Sequence, residues 1–363
     1  MRLPDKRRAD HRLADHRLAD YTTVRLGGPA RDFIRAGTDA DLIAAVRAAD
    51  DAGTPVLILG GGSNLVVADD GFDGTVIHVA TKGVSPCRGP GLVTVAAGED
   101  WDAVVAWTVA EGLAGLECLS GIPGLAGATP IQNVGAYGQE VAQTITQVRI
   151  YDRVTGQTCI IPNEACGFGY RTSVFKRDDA HRSVVLSVTF RLAVQQDSMP
   201  VRYAELAAAL GVQIGDRVAS TTARSAVLEL RRRKGMVIDP GDPDTRSVGS
   251  FFVNPVLDAA ALAAVEAAAR ARCGEGTRVP YFDAGDGLFK LPAAWLIERA
   301  GFGKGYGLGD GARISSKHTL ALVNPGSAST AGLIALARHI RDGVRDAFGV
   351  SLAPEPVLVG VTL

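Results

Sequence analysis

A chain of 363 residues exceeds what one ordinary core supports and predicts two or three domains. Its 38 basic and 39 acidic residues nearly cancel, and 47% hydrophobic against 21% charged content fits a folded globular protein, so neither a nucleic-acid binder nor a disordered chain is expected. No apolar run nears the roughly 20 residues of a membrane span, and the start MRLPDKRRAD lacks the apolar stretch of a secretory signal.

Residues 1–20, with ADHRL repeated, are charged and poor in core formers, and read as a frayed helix or disordered tail. The first ordered unit begins near Tyr21. TDADLIAAVRAADDAG (38–53) has apolar residues at helical spacing, with Thr38 or Asp39 as cap and Gly53 as stop. PVLILGGG (55–62) is a buried strand entering a glycine loop, and TVIHVA (75–80) is the next strand, a βαβ-like start. LVTVAAG (92–98) is a strand and DWDAVVAWTVAEGLAG (100–115) a helix. A long glycine-rich loop fills 120–141. Strands follow at 146–156, 157–162 and 183–193, then two helical pieces within 203–234.

DPGDPDT (239–245) marks a possible domain boundary. Beyond it come an alanine-rich helix (258–274), a helix over 292–301 with Pro292 near its first position, and a strand at 318–324. The last long helix spans 329–349, between Ser329 or Thr330 and Gly349, and PVLVGVTL closes the chain as a strand. The five cysteines, Cys87, Cys118, Cys159, Cys166 and Cys273, are odd in number, widely spaced and without a CxxC pair. They predict no disulfide framework and no metal site, and read as small apolar side chains, buried or half-buried, in a reducing cytoplasm.

Glycine is the outlier, with 43 residues in clusters at 60–62, 121–138 and 301–311. Clustered glycines signal close approach of backbone to something, or backbone angles that other residues avoid. LILGGGSNLVV could offer backbone N–H groups to phosphate oxygens, or be an ordinary glycine turn; it has no GxGxxG opening a helix. GIPGLAGATPIQNVGAYG is almost uncharged and carries Gln132 and Asn133, which suits a pyrophosphate held by backbone dipoles and a ring system held by amides. Arg171 in GYRTSVFK offers a planar fork for a carboxylate or enolate, or a surface ion pair. Glu355 in LAPEPVLVG has its backbone restricted by a proline on either side, as a placed acid or as an exposed turn residue. LRRRKG (230–235) is a basic helix end, either a solvated face or a pyrophosphate clamp. Ser250, in SVGSFFVNP, reads by itself as a turn serine.

Eight stretches in register change that reading: TTVRLGGPA (22–30), LGGGSNLVV (59–67), GIPGLAGATPIQNVGAYG (121–138), YRTSVFK (170–176), VGSFFVNP (248–255), AAWLIERAGFGKG (293–305), ARISSKHTLALVN (312–324) and APEPVLVG (353–360). From about Tyr21 to the C-terminus the chain resembles the bacterial UDP-N-acetylenolpyruvoylglucosamine reductases, flavoenzymes of early peptidoglycan synthesis. The resemblance implies an α+β protein: a vanillyl-alcohol-oxidase-like (PCMH-type) FAD-binding fold of two subdomains, plus a C-terminal α+β substrate-binding domain. The expected division is a tail (1–20), FAD subdomains over 21–82 and 83–238, a substrate domain over 239–350, and a closing segment (351–363) carrying Glu355.

The resemblance also implies site residues. Non-covalent FAD would be held by Gly60, Gly61, Gly62, Ser63 and Asn64, and by Gly121, Pro123, Gly124, Gly127, Gln132, Asn133, Gly135, Ala136, Tyr137 and Gly138. NADPH is the implied co-substrate. Ser250 would be the proton donor, with Arg171 and Glu355 stabilising the enol intermediate. Tyr203, Lys234 and Asn254 would contact substrate, Lys234 at the pyrophosphate, in the subclass that keeps an extra segment between the YRTSVFK and VGSFFVNP motifs. A monomer is expected. Lys317 and His318 have no assigned role. Thr129 departs from the usual small apolar residue of the loop. The competing readings are another flavin oxidase or dehydrogenase on the same fold, which would lack VGSFFVNP with APEP, and a nucleotide-binding regulator, which would lose Ser250, Arg171 or Glu355.

Overall fold

The computed structural model describes residues 16–177 and 182–363. The expected tail over 1–15 therefore lies outside the described residues; beyond it, Leu18 is fully buried in a 3-10 turn, Leu18–Tyr21. The chain divides into two compact units. Among the described residues, one comprises 16, 30–62, 72–177 and 182–237, and the other 17–29, 63–71 and 238–363.

The N-terminal elements are β1 (Ala30–Ala36), α1 (Asp39–Asp51), β2 (Val56–Leu59), β3 (Leu65–Val67) and β4 (Phe72–Val79). In the first unit β1, β4 and β2 form a parallel sheet with β4 in the centre. Helix α1 starts at a capping box: Thr38 Oγ1 accepts from Asp41 N–H at 3.1 Å and the Asp41 carboxylate accepts from Thr38 N–H at 3.2 Å. Its buried face is Leu42, Ala45, Val46 and Ala49, the spacing read from the sequence. Strand β1 was not expected, because Arg31, Asp32 and Arg35 interrupt its apolar pattern. Parallel strands of an α/β sheet bind ligands at their carboxyl ends, and β2 ends there in Gly60–Gly62.

The same unit continues with β5 (Val84–Pro86), β6 (Leu92–Ala96), α2 (Trp101–Ala110), β7 (Leu113–Ala114), β8 (Gly135–Ala136), β9 (Gln139–Glu140), β10 (Ile145–Asp152), β11 (Gln157–Pro162), β12 (Ser183–Arg191), β13 (Ala193–Val194), α3 (Ala204–Leu210) and α4 (Ser220–Arg233). Strands β11, β10, β12, β6 and β5, in that order, make an antiparallel sheet. One core joins it to the parallel sheet: Leu42, Val46 and Ile77 pack in the same cluster as Val95, Trp101, Val148, Leu186 and Phe190. Helices α3 and α4 bury Leu206, Val227 and Leu230 in a smaller cluster with Cys118 and Val201.

The second unit holds β14 (Ser247–Ser250), β15 (Val256–Leu257), α5 (Ala259–Cys273), β16 (Phe282–Gly285), β17 (Leu288–Lys290), α6 (Ala293–Arg299), β18 (Arg313–Ile314), β19 (Ala321–Val323), α7 (Thr330–Phe348) and β20 (Val357–Val359). The sheets run β14-β19-β18 and β15-β17-β16, and β20 pairs in parallel with β3. Helix α7 buries Leu333, Leu336, Ala337, Ile340 and Val344 along one face. Asn324 stitches in the early segment: its amide donates to the carbonyls of Val24 and Arg25 and accepts from Gly326 and Ala328 N–H.

Three expectations change. The strand read at 318–324 is shorter, because Ser315 Oγ accepts from Lys317 and His318 N–H and holds the preceding residues in a turn. Pro292 is the cap of α6 and not its first residue. Cys87 and Cys273 are exposed; Cys118 and Cys166 are buried, and burial pushes both thiols up to about 12.

Asp69 closes the start of α7 from 261 residues away in sequence, accepting from Thr330 N–H at 2.8 Å and Ala331 N–H at 2.9 Å. Asp69→Ala should cost about 1–2 kcal/mol. A fall in the urea midpoint at unchanged slope checks it; an unaltered midpoint would show that Ser329 alone satisfies this helix end.

Candidate active site

The two glycine-rich stretches of the first unit meet backbone to backbone. A Cβ on Gly61 would lie 2.8 Å from the Gly124 Cα, and one on Gly127 would lie 2.5 Å from the Ala97 Cβ. No turn or loop hydrogen bond among the described residues uses the N–H of Gly61, Gly62 or Gly124. Uncommitted donors at the carboxyl end of a parallel strand fit phosphate oxygens. Gly60, Pro123 and Leu125 are half-buried alongside. These residues fit the pyrophosphate of a dinucleotide.

Both ends of the 121–138 loop are anchored. At its start Gly121 N–H donates to Asp102 Oδ1 at 2.6 Å, and Asp102 takes the Arg224 fork at 2.6 and 2.9 Å. Burial raises the Asp102 carboxyl; the Arg224 fork, the Gly121 N–H and the charges of Arg224 and Arg231 outweigh it and hold its pKa below the ordinary value. Arg231 lies behind Gly121, its Nε buried without a partner and its Nη2 donating to Met236 O at 2.8 Å. Burial pulls its pKa down to about 10, so it stays charged at neutral pH.

The middle of the loop is locked by the YRTSVFK stretch. Ser173, fully buried, donates its hydroxyl to Ile131 O at 2.6 Å, and Arg171 Nη2 donates to Gly135 O at 2.7 Å. Arg171 sits at φ 54°, in the third place of the turn 169–172, where glycine is usual. Asn133, at φ 48°, spends its amide inside the protein: Nδ2 donates to Glu140 Oε2 and Gly169 O, and Oδ1 accepts from Ala142 N–H. Its side chain holds the loop in shape. Gln132 is half-buried beside it. The Thr129 hydroxyl donates to Ala126 O at 2.7 Å, so a polar residue is satisfied in this buried place.

Tyr137 and Gly138, at φ 49° and 83°, form the two-residue turn between β8 and β9, which begins after Gly135 and Ala136. The Tyr137 ring meets the Tyr203 ring edge to face, with centroids 5.5 Å apart, and Lys234 Nζ stands 5.7 Å over it. Lys234 also pairs with Glu205 at 2.6 Å. The structure thus brings Tyr137, Tyr203 and Lys234 together. Burial pushes the Tyr137 phenol up to about 12, keeping it a neutral donor.

In the second unit, Ser250 follows a β-bulge. The pairs Ser247↔Val323 and Ser250↔Ala321 leave one extra residue, and Gly249 takes φ 75° there. A bulge re-aims the side chain that follows it. The half-buried Ser250 hydroxyl has no protein partner among the described residues. Glu355 N–H donates to Phe251 O at 2.8 Å and Val253 N–H to Ala353 O at 3.1 Å, so the APEP segment lies along SFFV and puts Glu355 beside Ser250. Ser63 is half-buried at the start of this unit's 63–71 segment. Asn64 Nδ2 donates to Glu355 O at 3.3 Å, and Asn64 O accepts from Val357 N–H. Asn254 accepts from Ala293 N–H at the start of α6. Lys317 pairs with Asp242, which raises its pKa. Nothing local in the sequence marks Asp102 or Ser173 as anchors; both act on backbone far along the chain.

Comparison with known proteins defines first the class. Residues 30–161 match the family described as an FAD binding domain, so this is a flavoprotein oxidoreductase with a vanillyl-alcohol-oxidase-like FAD fold. Residues 242–359 match the family described as the C-terminal domain of UDP-N-acetylenolpyruvoylglucosamine reductase. A protein of that name from Saccharopolyspora erythraea is 59% identical, covering 94% of each chain. Another from Thermobifida fusca is 54% identical over 94% of this chain and 96% of its own. The crystal structure of UDP-N-acetylenolpyruvylglucosamine reductase (MurB) from Thermus caldophilus aligns with TM-score 0.64 at 25% identity, over 96% of this chain and 99% of that one. The chain belongs to the UDP-N-acetylenolpyruvoylglucosamine reductase family. Among the described residues no group of three or more His, Cys, Asp or Glu is placed to hold a metal ion.

Gly61→Ala should abolish flavin retention, read as loss of the visible absorption band per protein, because neither backbone can yield at 2.8 Å. The Asp102 contribution to stability is complete above the ordinary carboxyl pKa of about 4 and is lost as pH falls through its lower folded value. Urea midpoints from pH 6 to pH 2 should therefore fall less steeply in Asp102→Asn than in the parent; equal slopes would remove this anchor.

Proposed function

We propose that this protein reduces the enolpyruvyl ether of UDP-N-acetylglucosamine to UDP-N-acetylmuramate with NADPH, as a step of peptidoglycan synthesis in the cytoplasm, and that it works as a monomer. Bound FAD would supply the hydride chemistry, being reduced by NADPH and passing the hydride to the terminal enolpyruvyl carbon. The observation that carries the reading is the backbone pairing of SFFV with APEP, in which Glu355 N–H donates to the carbonyl of Phe251, the residue after Ser250 and its bulge. An oxidase on the same fold would keep the glycine loops and have no use for that pairing. None of the helices among the described residues is long and apolar enough to cross a membrane.

In this reading residues 21–82 and 83–238 carry the cofactor, 239–350 the substrate domain and 351–363 the acid Glu355. Hydride addition at the terminal carbon leaves an electron pair on the carbon next to the carboxylate. The Arg171 guanidinium, held by Gly135 O, steadies that enolate and its carboxylate. Ser250 gives its hydroxyl proton to the carbon, and Glu355 polarises the intermediate as a second acid. An ordinary serine is too weak an acid for this, so the step depends on a strongly basic carbon and fixed geometry. Tyr203, with Lys234 at the pyrophosphate, holds the UDP portion, and Asn254, which also accepts from Ala293 N–H at the start of α6, contacts substrate.

Two experiments test this. The purified protein should be yellow, bleach with NADPH under anaerobic conditions, and regain its flavin band on adding UDP-N-acetylglucosamine enolpyruvate. A protein that bleaches and ignores that compound belongs to another flavin reaction. Ser250→Ala should keep flavin binding and the bleaching step and lose 10²-fold or more in reoxidation by substrate; full turnover would remove Ser250 from the proton-donor role.

A further inference from the structure

Glu117 is completely buried, and three N–H groups donate to its carboxylate. Oε2 accepts from Gly115 N–H at 2.6 Å. Oε1 accepts from Met199 N–H at 2.6 Å and from Gln139 Nε2 at 2.9 Å. Gln139 Oε1 in turn accepts from Cys118 N–H at 2.9 Å. A carboxylate suits this place because it is all acceptor; a glutamine would aim its own NH₂ at one of three converging donors. Buried charge without such donors would be strongly unfavourable.

The partners of Glu117 are positioned to matter. Gln139 directly follows the Tyr137–Gly138 turn, which requires left-handed angles at both residues and places a tyrosine where asparagine or glycine is usual. A Cβ on Gly138 would lie 2.9 Å from the Cβ of Arg202, the neighbour of Tyr203. Met199 begins the short stretch that leads to Tyr203, the cap of α3. One carboxylate therefore holds the Gln139 side chain, two residues after Tyr137, and the Met199 N–H, four residues before Tyr203, the two rings of the edge-to-face pair.

We propose that Glu117 is a positioning residue for the nucleotide-sugar: it sets how Tyr203 rests against the Tyr137 ring and so the grip of Tyr203 on the UDP portion. This rests on the reading of Tyr203 and its neighbours as the UDP clamp. Glu117, fully buried, acts through Gln139 and Met199.

The test uses the full-length, flavin-loaded enzyme and UDP-N-acetylglucosamine enolpyruvate. Glu117→Gln should raise KM for that substrate tenfold or more, change kcat less than twofold, and leave the visible flavin spectrum unaltered. A merely structural role would lower the folded fraction, hence apparent kcat, and leave KM alone. Gln139→Leu removes the hairpin side of the anchor and should raise KM three- to tenfold. Combined with Glu117→Gln it should give less than the product of the two effects, since both act through one contact. Tyr203→Ala is measured in parallel. If it raises KM while Glu117→Gln stays within twofold of the parent, the positioning role falls and the clamp stands. If Tyr203→Ala leaves KM unchanged, the clamp fails and the proposal with it. Should Glu117→Gln not fold, Gln139→Leu decides: an unchanged KM overturns the proposal.

Discussion

Main chain pressed against main chain is the constraint on which the first unit depends. Side chains can change rotamer to make room, but two backbones in contact cannot. The approach of Gly61 to Gly124 is of this kind. Around it the loop passes through left-handed angles at Asn133 and Tyr137, and the stretch that braces it does so at Arg171. Such angles persist only where neighbours over-determine them. Here the Ser173 hydroxyl and the Arg171 fork each hold a loop carbonyl, and the Asn133 amide reaches out of the loop to Gly169 O and Ala142 N–H. The loop is shaped by its surroundings, and in return presents uncommitted backbone.

Helices with local punctuation were legible in the sequence. Thr38, Asp100 and Ser329 each accept at a helix start where the pattern of capping residues puts them, and Gly349 ends α7 in the left-handed region. The strand entering Gly60–Gly62 was equally clear, as apolar runs broken by glycine are. The site motifs could be found as words, and their neighbours could not. Glu117, Gln139 and Asp102 look like any polar residues beside an apolar run, and their partners lie 2 to 122 positions away. Strand β1 escaped because charged residues line its less buried positions, and the hairpin β16–β17 because its first strand is exposed throughout. The bulge before Ser250 has a glycine as its only local sign.

Side chains proposed to act in the chemistry are held mostly through backbone. Glu355 owes its place to its own N–H on Phe251 O, and Ser250 to an extra residue in the strand before it. Arg171 is the exception, fixed through its guanidinium. For Ser250 this main-chain placement leaves the hydroxyl, among the described residues, out of the side-chain networks that hold the rest of the strand.

The interleaved segments of the second unit bear on how the protein is made. Residues 17–29 and 63–71 belong with residues 238–363, and β3 finds its parallel partner in β20 at 357–359. On a ribosome adding about 5–20 residues per second, β3 emerges tens of seconds before that partner exists. Through that interval an apolar LVVA stretch has no mate and is open to wrong pairings or to a chaperone. Synthesis must therefore pass Val359 before this unit can close.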